Sequence, residues 1–475
     1  MPLGVPFRVP FRVCFGERSL RRNGPLSWID DFFHEARNHI HAREEDGVVI
    51  LPPNQVYKAN ATGIAIVRHM LAGGKVADIP GIEQEERARQ VAGFVSDLRS
   101  LYLGEAAENG SSSLESVTYD FTYTTLPILG EIAVTYRCNN ACLFCYAGCG
   151  SAPAGSGARM PNAVTGATEM SLAEIKRVIL VFKNEAKIPF FSFTGGEPLL
   201  RQDLEDMIVF ARRQGLQVNL ITNATLIDKK RARSLYRAGL RTAQVSLEST
   251  DAETHDMLTA RPGSYEATLK GIACLQAAGI SVQTNTTVNA INAPAVPRMP
   301  VFLKSLGVSR FAMNLFLPPS GSDPAMAAEH AALLFVPYTR AGAIIEEVRA
   351  AARSAGMTFY WYSPIPHCHY NTIAHGLGNK SCAAMDGLIS VSPSGDVLPC
   401  SSYPEPMGNV LTRGFREIWF SARALHFKNK EYAPAECSGC ESFTACQAAC
   451  PLYWRYAGTA EIRNPNAPVR QARAT

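Results

Sequence analysis

The sequence predicts an α/β protein organised around a partial (β/α)6 barrel. A small α+β unit precedes the barrel and a loop-rich, cysteine-bearing region follows it. Three observations predict this. From about residue 128, strand-like and helix-like runs alternate through six units, the pattern of a parallel sheet. Residues 47–104 carry a shorter pattern of their own. Beyond residue 365 the alternation gives way to hairpins and loops threaded with cysteine.

Each element has its local reason. Val48, Val49 and Ile50 read as a short strand stopped by Pro52 and Pro53. Asn60 or Thr62 can cap a helix with Ile64, Val67 and Leu71 on one face, ended by Gly73 and Gly74. A second helix places Val91, Phe94, Val95, Leu98 and Leu101 at helical spacing. Residues 1–46 form an extension left unassigned, although Trp28 to Ile40 has helical character. Residues 105–127 are polar and small, and read as a linker. The barrel strands are Glu131–Tyr136, Phe190–Thr194, Val218–Thr222, Ala243–Leu247, Ser281–Val288 and Arg310–Leu317. Helices such as Leu172–Asn184, Leu204–Gln214, Lys229–Ala238, Tyr265–Ala278 and Val296–Leu306 lie between them. Six units favour a partial barrel over a closed eight-stranded one. The barrel is placed at 128–345, with one more helix and strand at 336–363. The cysteine-rich domain is placed at 346–460 and a tail at 461–475.

Bulk properties exclude several classes. A formal charge of +4 over 475 residues gives no electrostatic case for nucleic acid or an anionic membrane. No apolar run reaches the ~18 residues of a membrane span. Arg8, Pro10 and Arg12 break the N-terminus, so a secretory signal is not expected and a cytoplasmic location is. The 13 cysteines are odd in number and clustered, which suits metal binding better than disulfides.

The first cluster of thiols follows the first barrel strand. Cys138, Cys142 and Cys145 are spaced C-x3-C-x2-C, and Phe144 beside the last can keep water away. Three thiolates on one loop can hold three irons of a 4Fe–4S cube and leave the fourth open. A zinc knuckle or a redox dithiol is the plainer reading of the triplet alone. At the end of the second strand, Phe193-Thr194-Gly195-Gly196-Glu197-Pro198 provides two glycines for close backbone approach. Their amides and Glu197 are read as contacts for an α-ammonium group, against the plainer reading of a Gly-Gly turn. Thr222 and Asn223 end the third strand. Ser246 and Glu248 end the fourth. Ligands of parallel α/β folds sit at such strand ends, although each residue alone could be an ordinary cap.

Together these motifs resemble the radical S-adenosylmethionine (SAM) superfamily over residues 128–320. The resemblance implies an enzyme whose open iron chelates the methionine part of S-adenosylmethionine. It also implies reductive cleavage to a 5′-deoxyadenosyl radical that abstracts hydrogen from substrate. Gly195, Gly196 and Glu197 would contact the methionine amine, while Ser246 and Glu248 would lie near the ribose or carboxylate. Arg261 is a candidate carboxylate partner, against the plain reading of a surface arginine. An electron donor such as a flavodoxin or ferredoxin is implied.

In the C-terminal region, SVSPSGDVLP reads as two strands about a turn, between Cys382 and Cys400. Cys437, Cys440, Cys446 and Cys450 follow as C-x2-C-x5-C-x3-C. Two zinc sites are a fair physical reading. The pattern over about 365–455 resembles the SPASM domain, an extension that binds auxiliary iron–sulfur clusters. That resemblance implies Cys382, Cys400 and Cys450 at a first auxiliary cluster, with Cys368 as upstream fourth ligand. It implies Cys437, Cys440 and Cys446 at a second. No cysteine follows Cys450, so the second lacks a cysteine, and Tyr453, Tyr456 and Glu461 are unranked candidates to replace it. The sulfatase-maturing branch places a carboxylate after the cysteine matching Cys400, so Ser401 argues against that branch. Cys14, Cys149 and Cys274 show no pattern and read as packed or incidental thiols, with Cys149 near enough to the first cluster to merit mutation.

Residues 47–104 resemble the winged-helix-like pyrroloquinoline-quinone biosynthesis D protein (PqqD-like), whose relatives recognise leader peptides by strand addition. The resulting expectation is a cytoplasmic enzyme that oxidatively matures a precursor peptide or protein, by a crosslink, thioether or related product. Decarboxylation of a haem precursor is the alternative. A non-catalytic electron-transfer or scaffold protein is a third class, which the glycine-rich strand end disfavours.

Overall fold

The computed structural model describes residues 25–51, 55–103, 124–148, 169–318 and 324–463. Two compact units divide the chain, Met1–Ile128 and Leu129–Thr475.

The first unit contains α1 (Ser27–Ala36), β1 (His41–Arg43), β2 (Val48–Leu51), β3 (Gln55–Lys58), α2 (Ala61–Leu71) and α3 (Glu85–Leu103). Its strands form an antiparallel sheet in the order β1-β2-β3. Asn60 caps α2 by accepting the Gly63 N–H at 2.8 Å. The boundary expected at residue 47 is corrected. Ile29, Phe32, Phe33 and Ala36 of α1 pack into one core with Val49, Val67, Val91, Val95 and Leu98, and β1 completes the sheet. The apolar residues of α1 recur at i, i+3, i+4 and i+7, one face of a helix. The expected linker also ends early. Arg43 forks onto Asp46 at 2.8 and 2.7 Å and donates to the carbonyls of Leu126 (3.0 Å) and Pro127 (2.7 Å), tying those residues to this unit.

The second unit is built on one sheet. β4 (Leu129–Thr135), β5 (Phe190–Gly195), β6 (Gln217–Thr222), β7 (Thr242–Ser246), β8 (Ser281–Val288), β9 (Arg310–Leu315) and β10 (Thr358–Trp361) pair in parallel and in chain order. The connecting helices are α4 (Leu172–Asn184), α5 (Leu204–Arg213), α6 (Lys229–Ala238), α7 (Ala252–Thr259), α8 (Ser264–Ala277), α9 (Met299–Ser305), α10 (Pro324–Leu334) and α11 (Tyr338–Ala355). The partial barrel therefore has a seventh parallel strand, β10. The boundary expected at residue 345 falls inside α11, which leads into that strand.

The other edge extends as well. β11 (Leu388–Val391) joins β4 in parallel, and β12 (Asp396–Leu398) and β13 (Gly408–Asn409) follow antiparallel. The hairpin read from SVSPSGDVLP is β11–β12. Its docking on β4 attaches the cysteine-rich region directly to the barrel.

β6, β7 and β8 alternate in burial, which is unusual for a parallel sheet whose two faces are both covered by apolar packing. In β8, Val282, Thr284, Thr286 and Val288 are buried, while Ser281, Gln283, Asn285 and Thr287 are half-buried. Asn285 donates to Asn314 at 2.7 Å, Asn219 to Ser192 at 3.2 Å, and Gln283 to the Tyr362 hydroxyl at 2.7 Å. One face of the sheet thus carries a hydrogen-bonded polar lining.

Candidate active site

The cysteine loop leaves β4 and is pinned from one side. Ala141 and Leu143 donate backbone N–H groups to the carbonyls of Thr259 (3.0 Å) and Leu258 (2.9 Å), at the end of α7. Arg261 donates to the Asn139 carbonyl at 2.7 Å and approaches the Asn140 side chain at 3.5 Å. Arg261 is therefore not a free surface arginine; it holds the loop. From the other side, Asn223 donates to the Asn139 side chain at 2.9 Å and stands 3.9 Å from Cys138 Sγ.

β4 and β5 approach closely where the glycines lie. Gly196 N–H donates to the Thr135 carbonyl at 2.7 Å, and Glu197 N–H to the Arg137 carbonyl at 2.9 Å. A Cβ on Gly195, whose φ is +137°, would collide with the Thr135 carbonyl oxygen, and one on Gly196 with that of Arg137. This corrects the reading of the amides as ammonium contacts. An N–H cannot accept from an ammonium, and those of Gly196 and Glu197 are already spent on β4; carbonyl oxygens are the backbone acceptors for an amine.

Glu197 is fully buried. Its carboxylate accepts from Thr222 Oγ1 (2.7 Å), Asn223 N (2.8 Å) and Leu199 N (3.1 Å). Burial pushes it up to about 7 against these bonds, which favour the charged form. The residue knits the ends of β5 and β6 together. Glu248 follows β7 and is equally buried. It accepts from Thr287 N at 2.8 Å, and its own N–H donates to Nδ1 of His255 at 3.2 Å. Burial pushes Glu248 up to about 8. Ser246 ends β7 half-buried, in register with Asn285.

The donor set fits a cationic cluster. Burial pushes the Cys138 thiol up to about 11, and Cys142 rises well above its ordinary value. The charges that add to burial are negative: Glu197 and Cys145 at Cys138, and Cys145, Glu248 and Cys138 at Cys142. Thiols in such surroundings need metal to become thiolates. Among the described residues, no three His, Cys, Asp or Glu side chains close to the spacing of a single metal ion. A cube spreads its ligands over several irons and holds them farther apart.

The remaining cysteines fall into two sets. Burial first, then the charge of Cys382, raises Cys400 to about 12, and Cys382 and Cys400 act in turn on Cys450. Met385 N–H donates to the Pro399 carbonyl at 3.3 Å, bringing the Cys382 and Cys400 segments together. Burial first, then the charges of Cys446, Cys368 and Cys440, pushes the Cys437 thiol up to about 11. Cys274 is a buried thiol of α8, as expected for packing; Cys14 and Cys149 lie outside the described residues. Ser401 donates to the carboxylate of Glu131, which also accepts from Ser390 at 3.0 Å and acts on Cys400. Sequence reading passed over Glu131. Its signal was a lone carboxylate inside the apolar strand Gly130-Glu131-Ile132-Ala133-Val134.

A parallel partial barrel with three thiols and two buried carboxylates at its strand ends defines the class. The family model of the radical SAM superfamily matches residues 132–294, and that of the SPASM iron–sulfur cluster-binding domain matches residues 382–441. The chain belongs to the radical SAM superfamily. It is similar to the AdoMet-dependent heme synthase of Methanosarcina barkeri, 30% identical over 341 residues that cover 68% of this chain and 91% of that protein. It is also similar to the PqqA peptide cyclase of Streptomyces rochei, 28% identical over 281 residues, 57% of this chain and 73% of that protein. Among solved structures, Streptococcus suis SuiB matches with a TM-score of 0.63 at 15% identity, covering 87% of this chain and 95% of SuiB. The protein is accordingly an enzyme that uses S-adenosylmethionine and iron–sulfur clusters, including auxiliary ones. No described helix is long and apolar enough to cross a membrane.

Proposed function

We propose that Cys138, Cys142 and Cys145 hold the cluster that binds S-adenosylmethionine, and that the enzyme oxidatively modifies a peptide or protein. Bound there, the 4Fe–4S cluster and S-adenosylmethionine supply a 5′-deoxyadenosyl radical for hydrogen abstraction. The chain's residues orient and shield. Arg261 and Asn223 fix the cysteine loop. Glu197 ties the β5 and β6 ends together, and strand-end carbonyls there would accept from the methionine amine. Ser246 and Glu248 stand where the ribose or carboxylate would lie. Phe144, packed with Leu258, Phe316 and Leu334, limits water at the loop.

The observation that carries the peptide reading is the first unit. Among the described residues its three-stranded sheet packs with α1, α2 and α3 around a core of its own, and binding of an extended peptide by strand addition is the mode expected of a PqqD-like unit. SuiB has been solved bound to the precursor peptide SuiA, which supports a peptide for this fold. A second reading, a haem-precursor propionate, is favoured by the AdoMet-dependent heme synthases, which match at 26–30% identity. Incubating the reduced enzyme and S-adenosylmethionine separately with iron-coproporphyrin III and with candidate precursor peptides, under mass spectrometry, distinguishes the two. Loss of two hydrogens or a new crosslink in a peptide is expected. Loss of carbon dioxide from the porphyrin, with peptides untouched, would establish the second reading.

A further inference from the structure

The resemblance to the SPASM domain implies Cys368 in the first auxiliary set and leaves the second short of a cysteine. The structure groups these residues otherwise. His367, adjacent to Cys368, donates its backbone N–H to Cys446 Sγ at 3.4 Å. Within the same loop, Cys440 N–H donates to the Cys437 carbonyl at 3.2 Å. The thiols acting on Cys368, after burial, are those of Cys446 and Cys440. Neither Cys382, Cys400 nor Cys450 is among the groups acting on it.

The candidates considered as substitutes are otherwise engaged. Tyr453 is buried, donates to Glu461, and accepts from Tyr338 N at 2.8 Å. Glu461 also accepts from Thr339 N at 3.1 Å. Tyr456 packs against Phe335, with ring centroids 4.9 Å apart. Cys368 and Cys440 are exposed, with Cys437 half-buried and Cys446 buried beside them, whereas no member of the other set is exposed: Cys382 and Cys450 are buried and Cys400 is half-buried. The buried set has polar neighbours: the Tyr432 hydroxyl donates to the Ala449 carbonyl at 3.5 Å, next to Cys450, and Lys430 Nζ donates to the Cys382 carbonyl at 2.7 Å and to Asp386 at 3.3 Å.

We propose that Cys368 joins Cys437, Cys440 and Cys446 as the fourth ligand of an outer auxiliary cluster, so that the three-thiol set with an open iron is the buried one, Cys382, Cys400 and Cys450. This rests on the auxiliary-cluster reading of these thiols. Glu131, which acts on Cys400, and Tyr432, on which Cys382 and Cys450 act, would then be the oxygen-bearing side chains available to that open iron.

The full chain carrying Cys138→Ala, Cys142→Ala and Cys145→Ala isolates the auxiliary clusters. Cys368→Ser, Cys437→Ser and Cys382→Ser are added one at a time, and the reduced proteins are compared by electron paramagnetic resonance. Cys368→Ser is expected to move the signal that Cys437→Ser moves and to spare the one that Cys382→Ser moves. 13C-cyanide is expected to couple only to the latter. Cys368→Ser moving the Cys382 signal instead would overturn the proposal. A second arm needs no cluster. Mild oxidation of the metal-free chain, mapped by mass spectrometry, is expected to join Cys368 to Cys437, Cys440 or Cys446. Disulfides from Cys368 to Cys382, Cys400 or Cys450 would overturn the grouping. A chain that holds no iron and sulfide defeats the cluster reading, while this arm still decides the grouping.

Discussion

The hydroxyl of Thr222 donates to the carboxylate of Glu197 across 2.7 Å, and both residues are buried. This pair joins the ends of β5 and β6 beneath the site assigned to the methionine amine. Glu197→Gln preserves shape but turns one acceptor oxygen into a donor that faces donors. A broken buried hydrogen bond to a charged group costs about 1–3 kcal/mol, so S-adenosylmethionine affinity should fall roughly tenfold or more. Equilibrium dialysis against the labelled cofactor, with iron content unchanged, checks this.

Gly195 and Gly196 should tolerate no side chain. Gly195→Ala would hold an L residue at φ +137° against the Thr135 carbonyl. Strain of this kind costs about 1–3 kcal/mol by itself, and the collision adds to it. A lowered Tm together with loss of cluster is the expected outcome, and an unchanged Tm would contradict the packing described.

Arg261 gives a different signature. It follows α7 and braces the cysteine loop through the Asn139 carbonyl. Arg261→Ala should lower cluster occupancy during anaerobic reconstitution several-fold and shift Tm little. Iron and sulfide counts alongside calorimetry separate the two effects.

Acid should loosen the β7 end. The His255 ring accepts the Glu248 N–H through Nδ1, so that nitrogen carries no proton. Burial holds His255 down to about 4, and the same cause, with the charge of His39 adding, holds His41 down to about 4 in the first unit. Below its ordinary value of 6.5 the unfolded chain takes up protons that the folded chain refuses. The stability tied to each ring is therefore complete above about pH 6.5 and declines as pH falls toward 4. A shift of this size is worth roughly 3 kcal/mol per ring. Urea midpoints measured from pH 7 to pH 4.5 should fall, and His255→Asn should flatten part of that slope.

Much of this was legible in the sequence because it rests on short-range chemistry. The six barrel strands follow from apolar runs between helical ones, and Cys138, Cys142 and Cys145 share one loop after β4. What was hidden depends on contacts distant in the chain. The covalent spacing of Cys368 says nothing of the approach of its neighbour His367 to Cys446, which comes from the path of the chain after β10. Glu131 looked like one polar residue in a strand until β11 docked on β4 and brought Ser390 and Ser401 to it. The amphipathic face of α1 was visible, but the sheet and helices it packs on were needed to place it. Arg261 could not be assigned until the end of α7 met the cysteine loop.

The central claim is that Cys138, Cys142 and Cys145 carry the S-adenosylmethionine chemistry. Its most direct test is the yield of 5′-deoxyadenosine from anaerobically reconstituted enzyme, S-adenosylmethionine and dithionite, measured by chromatography. The wild-type chain should form it, and the variant with all three cysteines changed to Ala should form none while retaining its auxiliary iron. Cleavage that persists in that variant would contradict the account.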